Sequence, residues 1–271
     1  MKNIALVVGG SGMKSAYSGG ALVALTKELK LTNPDIVIGS SGGSGGLPYY
    51  VAGQYDSIKR IWSELLATKK FISLMRVKRI LDLDYLIDNV VKKVEPLNIE
   101  IVIGSKIKLL IPATDWITGE PYYFSNKDDI YKAMKASKAI PGLFNEIIRI
   151  NHRRYIDGQL SATVERNIQK AIDEGATKII VIDVSESSLI SKIFWKTYML
   201  FVPKRLGRTV LAFLRNSFKH TPKKGVDVFY ITASQKIPAG TLSINREDLI
   251  KTFELGYNDV VQNKELREFL K

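Results

Sequence analysis

Short, uninterrupted apolar runs alternate with helically spaced segments along most of the chain. Ile4-Ala5-Leu6-Val7-Val8 ends at Gly9, and Asp35-Ile36-Val37-Ile38 ends at Gly39 after a turn at Asn33-Pro34. Runs this short, apolar throughout and closed by glycine predict strands buried on both faces, as in a parallel sheet. Residues 15–29 carry Ala, Leu and Lys at helical spacing and predict the helix between these strands, with a second helix around 47–54. The first fifty residues therefore read β-loop-α-β-loop-α. Helical periodicity dominates 57–94. Further strands are expected at 101–103, 108–112, 154–156, 178–183 and 226–231, and helices at 131–137, 168–174 and 249–270. Alternation of this kind predicts an α/β fold, three-layer α/β/α with a mainly parallel central sheet. With no repeat and no low-complexity linker, the reading is a single domain over 1–271, with a helical insertion near 186–224.

Composition adds little until charge is considered. The 271 residues are 45% hydrophobic and 25% charged, ordinary values for a globular chain long enough to bury its own core. Absence of cysteine excludes a disulfide framework, thiolate metal sites and a cysteine nucleophile. A net charge of +13, with a pI near 9.6, favours an anionic partner: nucleic acid, an acidic membrane surface or a phosphorylated small molecule. The apolar stretch after Met1 is too short for a secretory signal, and no run reaches the roughly 18 residues of a spanning helix. The expectation is a cytoplasmic protein, peripheral to membrane if it touches one.

Two glycine loops follow the first two strands. Gly39-Ser40-Ser41-Gly42-Gly43 matches G-x-S-x-G between a strand and a helix, the context in which a sharp turn exposes a nucleophilic serine. Gly42-Gly43-Ser44-Gly45-Gly46 matches the same pattern one turn later. Ser41, at the strand's end, is preferred to Ser44, which falls within the early helix. A glycine-serine loop that binds an anion without covalent chemistry is the plainer alternative. In the first loop, Gly9-Gly10-Ser11-Gly12-Met13-Lys14, a dinucleotide fingerprint fails because Ser15 stands where its third glycine belongs. A Walker A loop fails because Met13 precedes the lysine. An oxyanion hole built from N–H groups at Gly10, Ser11 and Gly12, with another from Gly42, uses both loops together.

A Ser-His-Asp triad would draw on His152 or His220, the only histidines. His220 lies in a lysine-rich stretch and reads as exposed. Asp157-Gly158 closes the short strand Arg154-Tyr155-Ile156, and a carboxylate there can take a serine proton directly. An ordinary Asp-Gly turn is the alternative.

Together these elements resemble the patatin-like phospholipases. Gly10-Ser11-Gly12-Met13-Lys14-Ser15 is similar to the family's G-G-G-x-R/K-G motif, and Gly39-Ser40-Ser41-Gly42-Gly43 to its G-x-S-x-G. Asp157-Gly158 is similar to its D-G-A/G. Residues Ala136-Ser137-Lys138-Ala139-Ile140-Pro141-Gly142-Leu143-Phe144 resemble A-S-x-A-x-P-x-x-F, and Ala113-Thr114-Asp115-Trp116-Ile117-Thr118-Gly119-Glu120 resembles a segment of bacterial members. The pieces span residues 4–185. The resemblance implies a serine lipid acyl hydrolase with Ser41 as nucleophile and Asp157 as base, an oxyanion hole at Gly10, Ser11, Gly12 and Gly42, and Lys14 beside the substrate. It implies a phospholipid or other acyl-ester substrate and no metal or organic cofactor. The chain departs from the pattern at Ser11 and Ser15, which replace glycines, at Lys14, where arginine is usual, and at Gln159, which follows Asp-Gly. A non-catalytic lipid- or anion-binding member is the alternative these departures raise.

From 192 to 224, nine Lys and Arg residues occur with no Asp or Glu, interleaved with Trp195, Tyr198, Leu200, Phe201, Leu211 and Phe213. Such a segment suits docking on an anionic bilayer. It equally suits a helical lid whose apolar face packs on the core and whose charges are solvated. No helix-turn-helix or RNA-binding signature accompanies the charge, so nucleic acid is not the expected partner.

Overall fold

A computed structural model describes residues 3–77, 79–185 and 189–271. Among the described residues, eight strands form one sheet: β1 (Ile4–Val8), β2 (Ile36–Gly39), β3 (Lys108–Asp115), β4 (Pro121–Ser125), β5 (Ile148–Ile150), β6 (Arg153–Ile156), β7 (Lys178–Ile182) and β8 (Asp227–Ile231). Their order is β5-β6-β3-β2-β1-β7-β8, with β4 also paired to β3. Strands β3, β2, β1, β7 and β8 run parallel, while β4, β5 and β6 pair antiparallel at the β3 side. The helices are α1 (Ala16–Lys27), α2 (Leu47–Val51), α3 (Tyr55–Arg60), α4 (Ile99–Gly104), α5 (Ile130–Ser137), α6 (Val164–Asp173), α7 (Leu189–Tyr198), α8 (Lys204–Leu214), α9 (Arg246–Gln262) and α10 (Lys264–Leu270). None of the described helices is long and apolar enough to cross a membrane.

The continuous apolar strands split their side chains by the two-residue period of the pleat. Leu6, Val8, Val37, Leu109, Ile111, Ile180 and Ile182 point into a large core shared with α1, α5 and α9. Their neighbours Ala5, Val7, Ile36, Ile38, Leu110, Ile179 and Val181 pack against Val164, Ile168, Ala171 and Ile172 of α6. The result is a three-layer α/β/α fold with a largely parallel sheet. A third cluster joins Ile156 and Leu160 to Trp195 of α7 and to Leu206 and Val210 of α8.

Helices α1 and α9 touch backbone to backbone. A side chain at Gly20 would overlap the Phe253 carbonyl, and one at Gly256 would overlap the Tyr17 carbonyl. Tyr17 ties the pair further by donating its hydroxyl to Asp259 Oδ2 at 2.8 Å. Because α1 begins directly after the first glycine loop, this crossing anchors that loop.

Several local expectations change. Residues 101–103 are helical, in α4, and not a strand. Asn98 caps the helix by accepting the Ile101 N–H at 3.3 Å, and only Val102 of the three apolar residues is buried. The periodic stretch 57–94 is broken. Helix α3 and the π-helical turn Ile61–Leu65 are separated from a second π-helical segment, Tyr85–Val94, by a hairpin bridged at Ile72 and Leu81. The C-terminal helix stops at Asn263, whose side chain accepts the Leu266 N–H at 2.8 Å and starts α10. Strands β4 and β5 were not expected. Of the span 186–224, residues 186–188 and the side chains of 189–192 and 194 lie outside the described residues. The rest holds α7 and α8.

Candidate active site

Val8 pairs with Gly39 at the ends of β1 and β2, so the two glycine loops leave the sheet side by side. A Cβ on Gly10 would sit 2.8 Å from the Ser41 Cβ, and one on Gly42 would sit 2.7 Å from the Gly12 carbonyl oxygen. Contacts that close require glycine at both positions.

Ser41 opens the turn Ser41–Ser44 with φ of +50°, a left-handed backbone conformation that costs a non-glycine residue on the order of 1–3 kcal/mol. Neighbouring residues hold it there. Its N–H donates to Ser137 Oγ at 3.0 Å, and its carbonyl accepts the Ser44 hydroxyl at 2.7 Å. Ser40 Oγ, beneath it, donates to the Ala162 carbonyl at 2.7 Å and accepts from Asn167 Nδ2 at 2.9 Å. Ser41 lines a narrow cavity of about 60 Å³. Ser44 is fully buried, does not line that cavity, and has its hydroxyl committed to the Ser41 carbonyl.

Asp157 leaves β6 buried beside this loop. Its N–H donates to the Ala139 carbonyl at 3.0 Å, and its carbonyl accepts the Thr114 hydroxyl at 2.7 Å. Gly158 lies against the Pro112 carbonyl, where no side chain would fit. Carboxylate Oδ1 accepts the Gln159 N–H at 2.9 Å, whereas buried Oδ2 meets no partner at full hydrogen-bond geometry. Burial lifts the carboxyl to about 6. The Ser41 hydroxyl, the Gln159 N–H and the charge on Lys138, in that order, pull it back down.

The segment 136–144 clasps both partners. Ser137 receives the Ser41 N–H, Ala139 receives the Asp157 N–H, and between them Lys138 turns inward. Its Nζ donates to Ser44 Oγ at 2.6 Å. Burial lowers this amine to about 7, with Asp157 acting in the opposite direction. Lys138 was not among the expected site residues. The signal that could have found it is a lone charge amid Ala136, Ala139 and Ile140.

The expected oxyanion loop is partly occupied from within the chain. Gly10 N–H donates to Gln159 Oε1 at 3.1 Å, and Ser11 N–H donates to Ser15 Oγ at 3.3 Å. Gly12 and Met13 line the cavity from this loop, with Lys14 half-buried in the same turn. Beyond Ser41, Gly42, Lys138 and Thr241, the cavity wall is mostly apolar, including Tyr49, Trp62, Phe71, Leu83, Met134 and Leu143. The histidines stand elsewhere. His152 is exposed in the β5–β6 turn. His220 is half-buried rather than exposed, because its Nδ1 lies 2.6 Å from Glu165 Oε2. Among the described residues, no group of three His, Asp or Glu is placed to hold a metal ion.

Fold and site together define a three-layer α/β protein in which a strained serine, a buried carboxylate and a glycine loop converge at the C-terminal end of the sheet. The chain belongs to the patatin-like phospholipase family, whose sequence profile matches residues 6–165. It is similar to the uncharacterized protein YjjU of Escherichia coli strain K12, with 23% identity over 225 residues, 80% of this chain and 61% of YjjU. Among solved structures it is similar in fold to VipD from Legionella pneumophila, with a TM-score of 0.56 and 14% identity over 97% of this chain and 66% of that one. The chain thus spans about two thirds or less of the length of both relatives.

Proposed function

We propose that this protein is a serine lipid acyl hydrolase of the phospholipase A, lysophospholipase or esterase type. The observation that carries the reading is the strained Ser41 at the wall of an apolar cavity, beside a buried carboxylate with an open Oδ2. In this mechanism Ser41 Oγ attacks the acyl carbonyl while Asp157 takes its proton. The tetrahedral oxyanion is held by N–H groups of Gly12 and Gly42, joined by Gly10 and Ser11 when Gln159 and Ser15 turn aside. Collapse breaks the acyl–oxygen bond, and the departing alcohol receives the proton from Asp157. Water, deprotonated by Asp157, then attacks the acyl-enzyme, and the fatty acid leaves as Ser41 regains its proton. The apolar cavity takes the acyl chain, and Lys14 lies near the substrate. Residues 192–224 contribute to docking on an anionic membrane: Trp195, Leu206 and Val210 pack inward, while Ile193, Leu200 and Phe201 remain exposed among exposed lysines and arginines. Reaction with a fluorophosphonate tests the core of this reading. Labelling of the wild type that disappears in Ser41→Ala is expected, and an unlabelled, folded wild type would sink it.

Proton transfer requires ionised Asp157, so kcat/KM is expected to fall below about pH 6 as the carboxyl protonates. Lys138 favours the ionised form. Lys138→Met therefore moves this acid limb to higher pH, and an unmoved limb would show that Asp157 and Lys138 do not couple during turnover.

The engagement of Gly10 and Ser11 by side chains favours a second reading, a lipid- or anion-binding member without turnover. Gln159→Gly separates the two. If Gln159 merely competes with the oxyanion, freeing the Gly10 N–H raises kcat/KM by about fivefold, the equivalent of one ordinary hydrogen bond of ~1 kcal/mol. If the site does not turn over, the variant stays as inactive as the wild type in steady-state ester assays.

A further inference from the structure

The hairpin bridged at Ile72 and Leu81 carries an apolar tip held out into solvent. Leu74, Met75 and Val77 are 75%, 89% and 87% exposed. Single exposed apolar residues are commonplace, but three within four positions on one tip are not. The tip is held by structure. Ser73 N–H donates to the Ile80 carbonyl at 2.8 Å, and Arg76 N–H donates to the Ser73 carbonyl at 3.2 Å. The Arg76 guanidinium then locks the base, donating to the Phe71 carbonyl at 2.9 Å, the Lys70 carbonyl at 3.2 Å and Asp82 Oδ2 at 2.9 Å. Position 78 lies outside the described residues.

Two further observations say what the tip meets. At its root, Phe71, Ile72, Leu81 and Leu83 form part of the wall of the cavity that holds Ser41, so an apolar surface runs along one hairpin from solvent to the nucleophile loop. Around it the charge is positive. Lys69 and Lys70 are exposed and meet no carboxylate among the described residues, whereas the nearby acids Asp82, Asp84 and Glu146 are already paired with Arg76, Arg79 and Lys135. An apolar tip, a basic collar and an apolar wall that leads to the Ser41 cavity fit an interface of anionic lipid, with the side chains among the acyl tails and the lysines at the headgroups.

We propose that this hairpin inserts into an anionic lipid surface and guides one acyl chain along its inner face to Ser41. The guiding role rests on the hydrolase reading above, but insertion is measured without turnover. The experiment uses the full chain carrying Ser41→Ala, with and without Leu74→Ser/Met75→Ser/Val77→Ser, sedimented with vesicles of phosphatidylcholine alone or mixed with phosphatidylglycerol. Binding to the mixed vesicles is expected, weakened at least about tenfold by the triple substitution. In the otherwise wild-type chain, the same triple variant is expected to hydrolyse soluble p-nitrophenyl butyrate at an unchanged rate and to melt at an unchanged temperature. Lys69→Gln/Lys70→Gln is expected to reduce the dependence of binding on salt and on phosphatidylglycerol. Equal vesicle binding with and without the tip substitutions overturns the proposal. So does loss of binding in Leu200→Ser/Phe201→Ser with none in the triple variant, which would assign docking to the α7–α8 region. Dimers of the wild type that become monomers in the triple variant would instead make the tip a contact between copies, also against the proposal. Tip-dependent vesicle binding in a chain that hydrolyses no ester leaves insertion standing while the hydrolase reading falls.

Discussion

Ser41→Ala is expected to lower ester hydrolysis by about four orders of magnitude, and Asp157→Asn by a comparable factor. Alanine removes the attacking oxygen. Asparagine keeps the shape of Asp157 and can still accept the Gln159 N–H, yet its amide cannot take a proton. In the proposed mechanism nucleophile and base act in one step, so the two losses should not add and the double variant should be no slower than either single one. The Asp157→Asn chain should also melt at the same temperature as wild type or higher. Burial raises the folded-state pKa of this carboxyl above its value in the unfolded chain, so above about pH 6 the ionised group costs folding free energy. A neutral isostere removes that cost, as commonly happens where a site is built for activity at the expense of stability. Initial rates with p-nitrophenyl butyrate, read beside thermal melts, check both halves. Full activity in either folded single variant would overturn the dyad.

Gly256→Val is expected to destabilise the fold by about 3 kcal/mol or more, a fall of roughly 10 °C in melting temperature. The added side chain would strike the Tyr17 carbonyl, and backbone cannot rotate away as a flexible side chain could. Its only relief is separation of α1 from α9, which opens the core at Ala21, Leu25, Phe253 and Val260 and loosens the Tyr17–Asp259 hydrogen bond. Since α1 is continuous with the glycine loop at Gly10–Gly12, whatever fold remains should also lose activity. Gly53→Val is the control, because a side chain at that turn meets nothing within 4 Å. Its cost comes only from a φ of +71°. Comparable melting temperatures for the two variants would refute the importance of the helix crossing.

Two kinds of feature were readable along the chain. Buried parallel strands need apolar residues on both faces, so β1, β2 and β7 appear as continuous runs, and the glycines after β1 and β2 mark where the chain turns at the sheet's edge. Those are local requirements, and they sufficed for the α/β alternation, the parallel sheet, the two neighbouring loops and the family's motifs, within which Ser41 and Asp157 stand as the proposed site residues. Where local preference was weak or misleading, the reading failed. Residues 101–103 are rich in β-branched side chains, yet Asn98 starts a helix there. The short antiparallel strands β4 and β5 carry mixed polarity and exist only because β3 and β6 offer them edges.

Only the tertiary structure decided the inner workings of the site. Ser44 matches the same motif as Ser41, but its hydroxyl is spent on the Ser41 carbonyl and on Lys138, a contact between residues 94 positions apart. Gln159 reaches the Gly10 N–H across 149 positions, and Ser137 steadies the Ser41 backbone across 96. Such contacts leave no periodicity and no adjacency in the chain. They depend on the strand order of the sheet, which brings the ends of β1, β2 and β6 near one another and buries one amine and one carboxyl in the same small volume, where burial shifts both proton affinities and each charge partly offsets the shift of the other.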